Sequence, residues 1–181
     1  MFIVEGPDGG GKTTLIRRLQ DELGFELMPR ACTSDNGVDP TTLKQWVEDD
    51  LRNASPQGLF YDRHPLISEP IYGPLIRGEM AEGFNHVGWL ATQFARLSLM
   101  KPVMIFCLPP KQIVLENIRD SHEATTDHLE GVLRSAGAIY DLYCLRAAQE
   151  ALSISTWVWD FTRERLHEDF KILLDLARQK L

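Results

Sequence analysis

Residues 6–13 have the composition and spacing of a phosphate-binding loop. They read Gly-Pro-Asp-Gly-Gly-Gly-Lys-Thr and match the pattern G-x-x-x-x-G-K-[ST] without a gap. Glycines allow a tight turn whose backbone N–H groups point at phosphate oxygens, and a helix that starts there adds the positive end of its dipole. The lysine of such a loop, here Lys12, reaches the β- and γ-phosphates, and the hydroxyl of Thr13 is a ligand for Mg²⁺.

The surroundings of this loop agree with the pattern, because a short apolar strand precedes it and a helical pattern follows it. A chance glycine-rich turn would not need both neighbours. We expect the Lys12 side chain to face solvent when no nucleotide is bound. The predicted nucleotide-binding residues are Gly6, Pro7, Asp8, Gly9, Gly10, Gly11, Lys12, Thr13 and Thr14.

A carboxylate follows another predicted strand, in the string Tyr61-Asp62-Arg63-His64. The C-terminal ends of parallel strands line the ligand crevice of such sheets, so we expect Asp62 near the phosphate-binding loop. There it would hold Mg²⁺ through water or accept a proton from an attacking oxygen. The structural alternatives are a cap on the next helix and a surface Asp–Arg pair.

Two large classes of nucleotide-binding protein lose support from motifs that the sequence lacks. A GTPase switch predicts an Asn-Lys-x-Asp motif for the base, and none is present. A motor or AAA-type ATPase predicts a carboxylate pair at the end of its most apolar strand. Here that strand ends in Cys107-Leu108-Pro109-Pro110, without a carboxylate.

The elements that must position these residues alternate between short apolar runs and amphipathic stretches, which is typical of a parallel sheet covered by helices. We predict an α/β fold with a five-stranded parallel sheet sandwiched by helices, in a single domain over residues 1–181. The strands are predicted at residues 2–4, 25–28, 59–61, 103–108 and 154–159. Helices are predicted between the strands and after the last one, near residues 15–23, 43–51, 87–97, 129–143 and 166–177.

The composition is that of an ordinary globular protein: 181 residues, 44% hydrophobic and 25% charged, with a net charge of −7. This acidic balance disfavours a nucleic-acid-coating protein. Three distant cysteines without a CxxC motif, and no leader or apolar run of about 18 residues, favour a reducing cytoplasm and no membrane role. The five histidines lack metal-ligand spacing, and we expect them at the surface.

These motifs together resemble thymidylate kinases, which are P-loop proteins of the nucleoside monophosphate kinase type. Residues 2–14 are similar to that family's opening, Asp62-Arg63 with Ser68 to its Asp-Arg-x-x-x-Ser motif, and Asp160 to the aspartate before its adenine-contacting loop. Leu108-Pro109-Pro110 and the helix after it resemble the segment leading to the lid. The string from Ser68 to Pro74 looks more like kinases of this superfamily found in viruses of bacteria, which would place the protein in the host cytoplasm.

The sequence also departs from the family pattern. Ser68 lies one residue later than the family spacing, and His64-Pro65 replaces the usual aromatic residue. The second strand ends in Met28-Pro29-Arg30 instead of Arg-Glu-Pro. These departures affect the identity of the acceptor more than the fold or the phosphate donor.

The resemblance implies Mg²⁺-dependent transfer of the ATP γ-phosphoryl group to a deoxynucleoside monophosphate, with dTMP as first choice. Its catalytic residues would be Lys12, Asp62, Arg63 and Arg119, with Thr13 and Asp62 at the metal and a short lid near residues 119–128. Arg119 would stabilise charge in the transition state. A solvated Arg119 and a salt bridge from Arg63 to a neighbouring carboxylate are the structural alternatives.

The acceptor site implied by the resemblance contains Asp8, Arg30, Arg63, Tyr72 and Arg77, with Asp8 contacting the sugar. A monophosphate needs cations beyond Lys12, and the three arginines are the candidates. Two other kinase activities stay open, towards a deoxynucleoside or towards a modified base or end within DNA, although the acidic charge makes nucleic acid the less favoured partner. A non-kinase regulator that binds nucleoside triphosphate is the alternative from another class. A homodimer also stays open.

Overall fold

The computed structural model describes residues 1–31, 39, 41–53, 58–120 and 127–179. Most of the predicted lid near residues 119–128 lies outside these ranges, because residues 121–126 are not described. Cys32, Pro40 and His122 lie outside them as well.

The described residues form the predicted five-stranded sheet, and every pairing in it is parallel. The strand order is β2-β3-β1-β4-β5. The second strand is shorter than predicted, with two residues, and the third extends through Asp62. The strands are β1 (Phe2–Glu5), β2 (Glu26–Leu27), β3 (Leu59–Asp62), β4 (Val103–Cys107) and β5 (Ser155–Trp159).

Seven α-helices are described, and the predicted amphipathic stretches account for most of them. A π-helical segment, Gly73–Arg77, directly follows the third helix. The helix before it was not predicted, because it is short and contains Pro70. The helices are α1 (Lys12–Leu23), α2 (Leu43–Asn53), α3 (Pro65–Tyr72), α4 (Val87–Leu99), α5 (Lys111–Asp120), α6 (Asp127–Glu150) and α7 (Leu166–Arg178).

The sheet buries apolar side chains on both faces, which explains why its central strands are continuous apolar runs. Ile3 and Met104 belong to the core cluster that α2, α3, α4 and α6 cover. Phe2 and Ile105 belong to the cluster that α1 and α7 cover on the other face. Adjacent residues of one strand therefore enter opposite cores, as the two-residue period of a strand requires.

Strand β1 lies at the centre of the sheet, between β3 and β4. Its register pairs Val4 with Asp62 of β3 and Glu5 with Phe106 of β4. The loop after β1 therefore emerges between the ends of two neighbouring strands, at the switch point where open α/β sheets bind ligands. Among the described residues, none of the helices combines the length and apolar character needed to cross a bilayer.

Candidate active site

The loop between β1 and α1 passes so close to its neighbours that two of its glycines cannot carry a side chain. Gly6 has a φ of 139°, and a Cβ atom there would lie 2.6 Å from the carbonyl oxygen of Cys107. Gly11 has a φ of 83°, and its Cβ atom would lie 2.8 Å from the ring of Phe161. Gly11 precedes α1 and offers no side-chain hydrogen bond to it, so the first backbone N–H groups of the helix are available to a ligand.

A cavity of about 310 Å³ opens beside this loop. The predicted donor-side residues and two predicted acceptor-side residues therefore share one space. The cavity is lined by Asp8, Gly9, Gly11, Lys12, Thr13, Thr14, Arg30, Asp62 and Asn117.

Lys12 is buried, with 7% of its surface exposed, so the expectation of a solvent-facing lysine was wrong. Its Nζ atom donates a hydrogen bond of 2.7 Å to the carbonyl oxygen of Pro7. Burial and the nearby Arg63 guanidinium lower the pKa of Lys12 to about 8. A sequence pattern does not reveal this burial, because it depends on how the loop folds back and brings the Pro7 carbonyl oxygen to Nζ.

Asp62 ends β3 and lines the cavity. Its Oδ1 atom is buried and has no hydrogen-bond partner among the described residues. A buried carboxylate oxygen without a donor is costly unless a ligand, water or ion satisfies it. Together with the Thr13 hydroxyl on the same cavity wall, this oxygen fits Mg²⁺, which prefers oxygen ligands and shares them with phosphates.

Arg63 lies beneath the loop and ties it to the acceptor-side residues. Its Nε and Nη2 atoms donate to the carbonyl oxygen of Gly6 at 3.3 and 3.2 Å. Nη2 also donates to Asp8 Oδ1 and to the Tyr72 hydroxyl, both at 2.6 Å. The Tyr72 hydroxyl in turn donates to Asp8 Oδ2 at 3.1 Å. Arg63 thus makes the salt bridge that was its structural alternative, and it makes it inside the predicted site.

The pKa values of Asp8, Arg63 and Tyr72 depend on burial and on the charges of Arg63 and Lys12. Burial alone would raise the pKa of Asp8, but Arg63 and Lys12 hold it well below its usual range. Burial would lower the pKa of Arg63, but Asp8 raises it further, so the guanidinium stays charged. Asp8 is therefore an ionised acceptor of hydrogen bonds. Burial raises the pKa of Tyr72, so its hydroxyl stays protonated.

Glu5 is part of the site, and the sequence analysis missed it. The residue is fully buried at the end of β1, where its Oε1 atom accepts from the His64 backbone N–H at 2.7 Å. Its Oε2 atom accepts from the Tyr143 hydroxyl at 3.1 Å. Burial raises the pKa of Glu5 to about 7, although these donors and Arg63 oppose the shift. The sequence offered two signals, a charged residue that closes an apolar strand and its place within the stretch 2–14 that resembles the family's opening, but neither indicated a role for it.

Two further residues hold the loop from the opposite side. Asn117 of α5 donates from Nδ2 to the carbonyl oxygen of Gly9 at 2.9 Å. Phe161, in the loop after β5, packs its ring against Gly11. Asp160 shapes that loop, because its Oδ1 atom accepts from the backbone N–H and the hydroxyl of Thr162 at 3.0 and 2.7 Å.

The remaining predicted site residues are distributed differently. Arg30 is exposed on the cavity wall. Arg77 belongs to the π-helical segment and forms an ion pair with the buried carboxylate of Glu69, away from the cavity-lining residues. Arg119 is exposed near the end of α5, next to the residues that are not described. The structure therefore brings together every predicted site residue except these last two.

Several solved structures have this fold. The YorR protein from Bacillus subtilis, in complex with phosphorylated GDP, is 17% identical, with a TM-score of 0.71 over 99% of this chain and 96% of that chain. Deoxyadenosine kinase from M. mycoides with bound dCTP is 14% identical, with a TM-score of 0.57 over 99% of this chain and 100% of that chain. The same kinase with bound dATP has a TM-score of 0.56 at 12% identity over 98% of both chains.

These likenesses confirm the predicted fold class, a five-stranded parallel sheet between helices as in P-loop nucleoside and nucleotide kinases. No protein-family model matches the chain, and no curated protein matches it in sequence. At such low identities the similarity concerns the fold alone.

We expect Glu5→Gln to remove a pH dependence of stability. In the wild type the unfolded carboxyl loses its proton near 4.5 and the folded one near 7, so stability falls as pH rises through this window. The near-isosteric amide keeps the polar contacts and has no proton to lose. The difference in free energy of unfolding, Glu5→Gln minus wild type, should rise by up to about 3 kcal/mol from about pH 4.5 to pH 8. Urea unfolding of both proteins at both pH values measures this difference. The same difference at both pH values would contradict the burial of a neutral Glu5.

Proposed function

We propose that this protein is a kinase that transfers the γ-phosphoryl group of ATP to a nucleoside-type acceptor in a Mg²⁺-dependent reaction. The observation that carries the proposal is the cavity shared by the phosphate-binding loop, Lys12 and the unsatisfied carboxylate of Asp62. The loop and the lysine account for nucleotide binding, and the unsatisfied carboxylate beside them supplies the metal ligand or the base that phosphoryl transfer requires. The kinase fold of the chain supports the same reading.

The donor half of the reaction follows from the loop. Backbone N–H groups of the loop and the start of α1 would bind the β- and γ-phosphates. Lys12 would exchange its hydrogen bond to the Pro7 carbonyl oxygen for phosphate oxygens, and its pKa would rise as those anions replace a neutral partner. Thr13 and Asp62 would hold Mg²⁺, which supplies charge neutralisation between the phosphates when bound.

The acceptor half uses the carboxylates. A nucleoside acceptor would attack through a hydroxyl, and Asp62 would accept its proton as a general base. A monophosphate would attack through a phosphate oxygen, which has no proton to lose at neutral pH, and Asp62 would then serve Mg²⁺ through its unsatisfied Oδ1 atom. Asp8 would accept a hydrogen bond from the acceptor sugar, since Arg63 and Tyr72 keep its carboxylate ionised and oriented. Arg63 would counter the charge of the group in transfer. Arg119 would stabilise the transition state from the last turn of α5.

For the acceptor itself, dTMP or a related pyrimidine monophosphate is our first choice. A phosphate dianion needs cations, and Arg30 supplies an exposed guanidinium on the cavity wall. Arg63 could add to it by sharing its donors between Asp8 and the phosphate.

A free deoxynucleoside is the second candidate, and a specific observation favours it. Arg63 pairs with Asp8, and Arg77 pairs with Glu69. Two of the three arginines that seemed to require an anionic acceptor therefore already have an anion. The solved structures with this fold include a deoxyadenosine kinase.

Lys12→Ala should abolish phosphoryl transfer, because the loop loses the cation that reaches the β- and γ-phosphates. Lys111→Ala is the matched control, since that lysine is half-exposed and pairs with Asp141 outside the cavity. ATP consumption and thermal unfolding should be measured on both proteins. A folded Lys12→Ala protein that turns over at the wild-type rate would refute the proposed donor site.

With a nucleoside as acceptor, Asp62→Asn should lower kcat by about 10²-fold or more, because a general base contributes roughly 10²–10⁴-fold to the rate. The KM for ATP should stay nearly unchanged, because the amide oxygen of asparagine can still serve the metal. Steady-state kinetics with saturating acceptor give both constants. Asp141→Asn, which alters an exposed carboxylate on α6, should behave as the wild type. A change confined to KM would make Asp62 a binding residue instead of a base.

A panel of acceptors with γ-labelled ATP tests the substrate class. We expect dTMP to be labelled faster than thymidine, and both faster than a thymine-containing duplex. Faster labelling of thymidine would replace dTMP by the second candidate and keep the kinase. ATP binding without label transfer to any of the three would favour the nucleotide-binding regulator over the proposed kinase.

A further inference from the structure

Two buried polar side chains face each other next to the site without lining its cavity. His64 is fully buried, which corrects the expectation of a surface histidine, and the side chain of Asp50 on α2 is 5% exposed. Their Nε2 and Oδ2 atoms lie 3.4 Å apart. At this distance the two atoms form no hydrogen bond with each other, and neither has another hydrogen-bond partner within the described part of the chain. A buried pair of this kind needs an explanation, since each group costs free energy when it leaves water.

The other ring nitrogen, Nδ1, shows which nitrogen of His64 carries the proton. The backbone N–H of Leu66 donates to His64 Nδ1 at 3.3 Å and so caps the start of α3. That hydrogen bond assigns the ring proton to Nε2, the nitrogen that faces Asp50. The ring therefore contacts two helices: Nδ1 accepts from the first turn of α3, and Nε2 lies 3.4 Å from a carboxylate oxygen of α2.

The carboxylate is fixed from the other side as well. The Tyr61 hydroxyl donates to Asp50 Oδ1 at 2.9 Å, so one oxygen is held by β3 and the second faces His64. Trp46, also on α2, places its ring edge-on to the imidazole with 6.0 Å between the centroids. The imidazole thus has a single orientation that three elements define.

This orientation bears directly on Arg63, which precedes His64 in the chain. Arg63 has a φ of 67°, a left-handed conformation that a residue with a side chain adopts only where its surroundings impose it. Its backbone N–H donates to the carbonyl oxygen of Val4 at 2.9 Å, and the next N–H, of His64, donates to Glu5 Oε1. The imidazole anchors the chain immediately after the left-handed residue.

We propose that Asp50 and His64 are positioning residues that hold Arg63 in its left-handed conformation and so keep its guanidinium beneath Gly6 and Asp8. Without the anchor, Arg63 would relax to an ordinary backbone conformation and its side chain would leave the loop. The effect on catalysis rests on the function proposed above, whereas the effect on the backbone does not.

Asp50→Asn is the sharpest variant, because it changes one atom and keeps the shape. Its amide oxygen can still accept from Tyr61, which turns the amide N–H₂ group towards the Nε2–H group of His64. Two donors then face each other. The clash is relieved if the ring moves its proton to Nδ1, which breaks the cap on Leu66, or if the ring moves away. The amide can also turn over and donate to the Tyr61 hydroxyl oxygen, and His64 then faces a neutral oxygen in place of a carboxylate. Each of these outcomes weakens the contact between the ring and α2. Val47→Ala is the matched control, because it removes buried methyl groups from the same helix and leaves the pair intact.

We expect kcat of Asp50→Asn to fall by at least about 10-fold, since a misplacement of about 1 Å can cost ~10²-fold in rate. The KM for ATP should change by less than about twofold, because the loop binds ATP through its backbone and Lys12. Val47→Ala should lose stability but retain the wild-type kcat. A folded Asp50→Asn protein with the kcat of Val47→Ala would overturn the proposal.

A double-mutant cycle separates action through Arg63 from general damage. Arg63→Gly removes the guanidinium and accepts the left-handed conformation without strain. If Asp50 acts through Arg63, then Asp50→Asn should lower kcat no further in the Arg63→Gly background. An equal additional loss in that background would mean that the pair acts elsewhere, and the proposal would fail.

Hydrogen exchange gives a readout that does not need kinase activity. The internal reference is the amide of Leu108, which donates to the Trp159 carbonyl oxygen in another part of the sheet. The exchange ratio is the rate of the Arg63 and His64 amides divided by the rate of the Leu108 amide. This ratio should rise at least about 10-fold in Asp50→Asn and should keep its wild-type value in Val47→Ala. If no acceptor is phosphorylated, the proposed function fails, but the exchange ratio still tests the positioning role. An unchanged ratio in Asp50→Asn would overturn the positioning role.

Tyr61→Phe replaces Asp50→Asn if that variant fails to fold. We then expect a smaller rise of the same ratio, and no rise would overturn the proposal.

Discussion

The buried guanidinium of Arg63 is the constraint around which the rest of the site is arranged. A charge that leaves water must be paired and hydrogen-bonded, and breaking such a pair costs about 3–5 kcal/mol. Arg63 meets this demand with the Gly6 carbonyl oxygen, the Asp8 carboxylate and the Tyr72 hydroxyl. Because these partners come from the loop after β1 and from α3, one side chain joins the phosphate-binding loop to the acceptor side.

Other features follow from this single placement. The close approach of the loop to β4 requires glycine at position 6, where a Cβ atom would meet the Cys107 carbonyl oxygen. The two cations near Asp8 keep that carboxylate ionised despite its burial, whereas Glu5, with weaker partners, has its pKa raised to about 7. The same sheet edge therefore carries one carboxylate that stays charged and one that is protonated in part near neutrality.

The sequence predicted what local patterns determine and missed what depends on tertiary contacts. The loop and the central strands were predictable, since glycine spacing and continuous apolar runs are local signals. The burial of Lys12 and the roles of Glu5 and Asn117 were not, because partners distant in the chain create them. The pairing of Arg77 with Glu69 depends on an unpredicted helix that contains Pro70 and on the π-helical segment after it.

The central claim is that this site moves the γ-phosphoryl group of ATP to an acceptor rather than to water. ³¹P NMR of the reaction mixture tests it most directly, because the spectrum separates ADP, inorganic phosphate and a phosphorylated acceptor. With Mg²⁺, ATP and a mixture of thymidine and dTMP, we predict that the amount of ADP equals the number of phosphoryl groups gained by the acceptors, seen as dTDP or as additional dTMP. Little ATP should be consumed without the acceptors. Inorganic phosphate as the main product at an acceptor-independent rate would contradict the account.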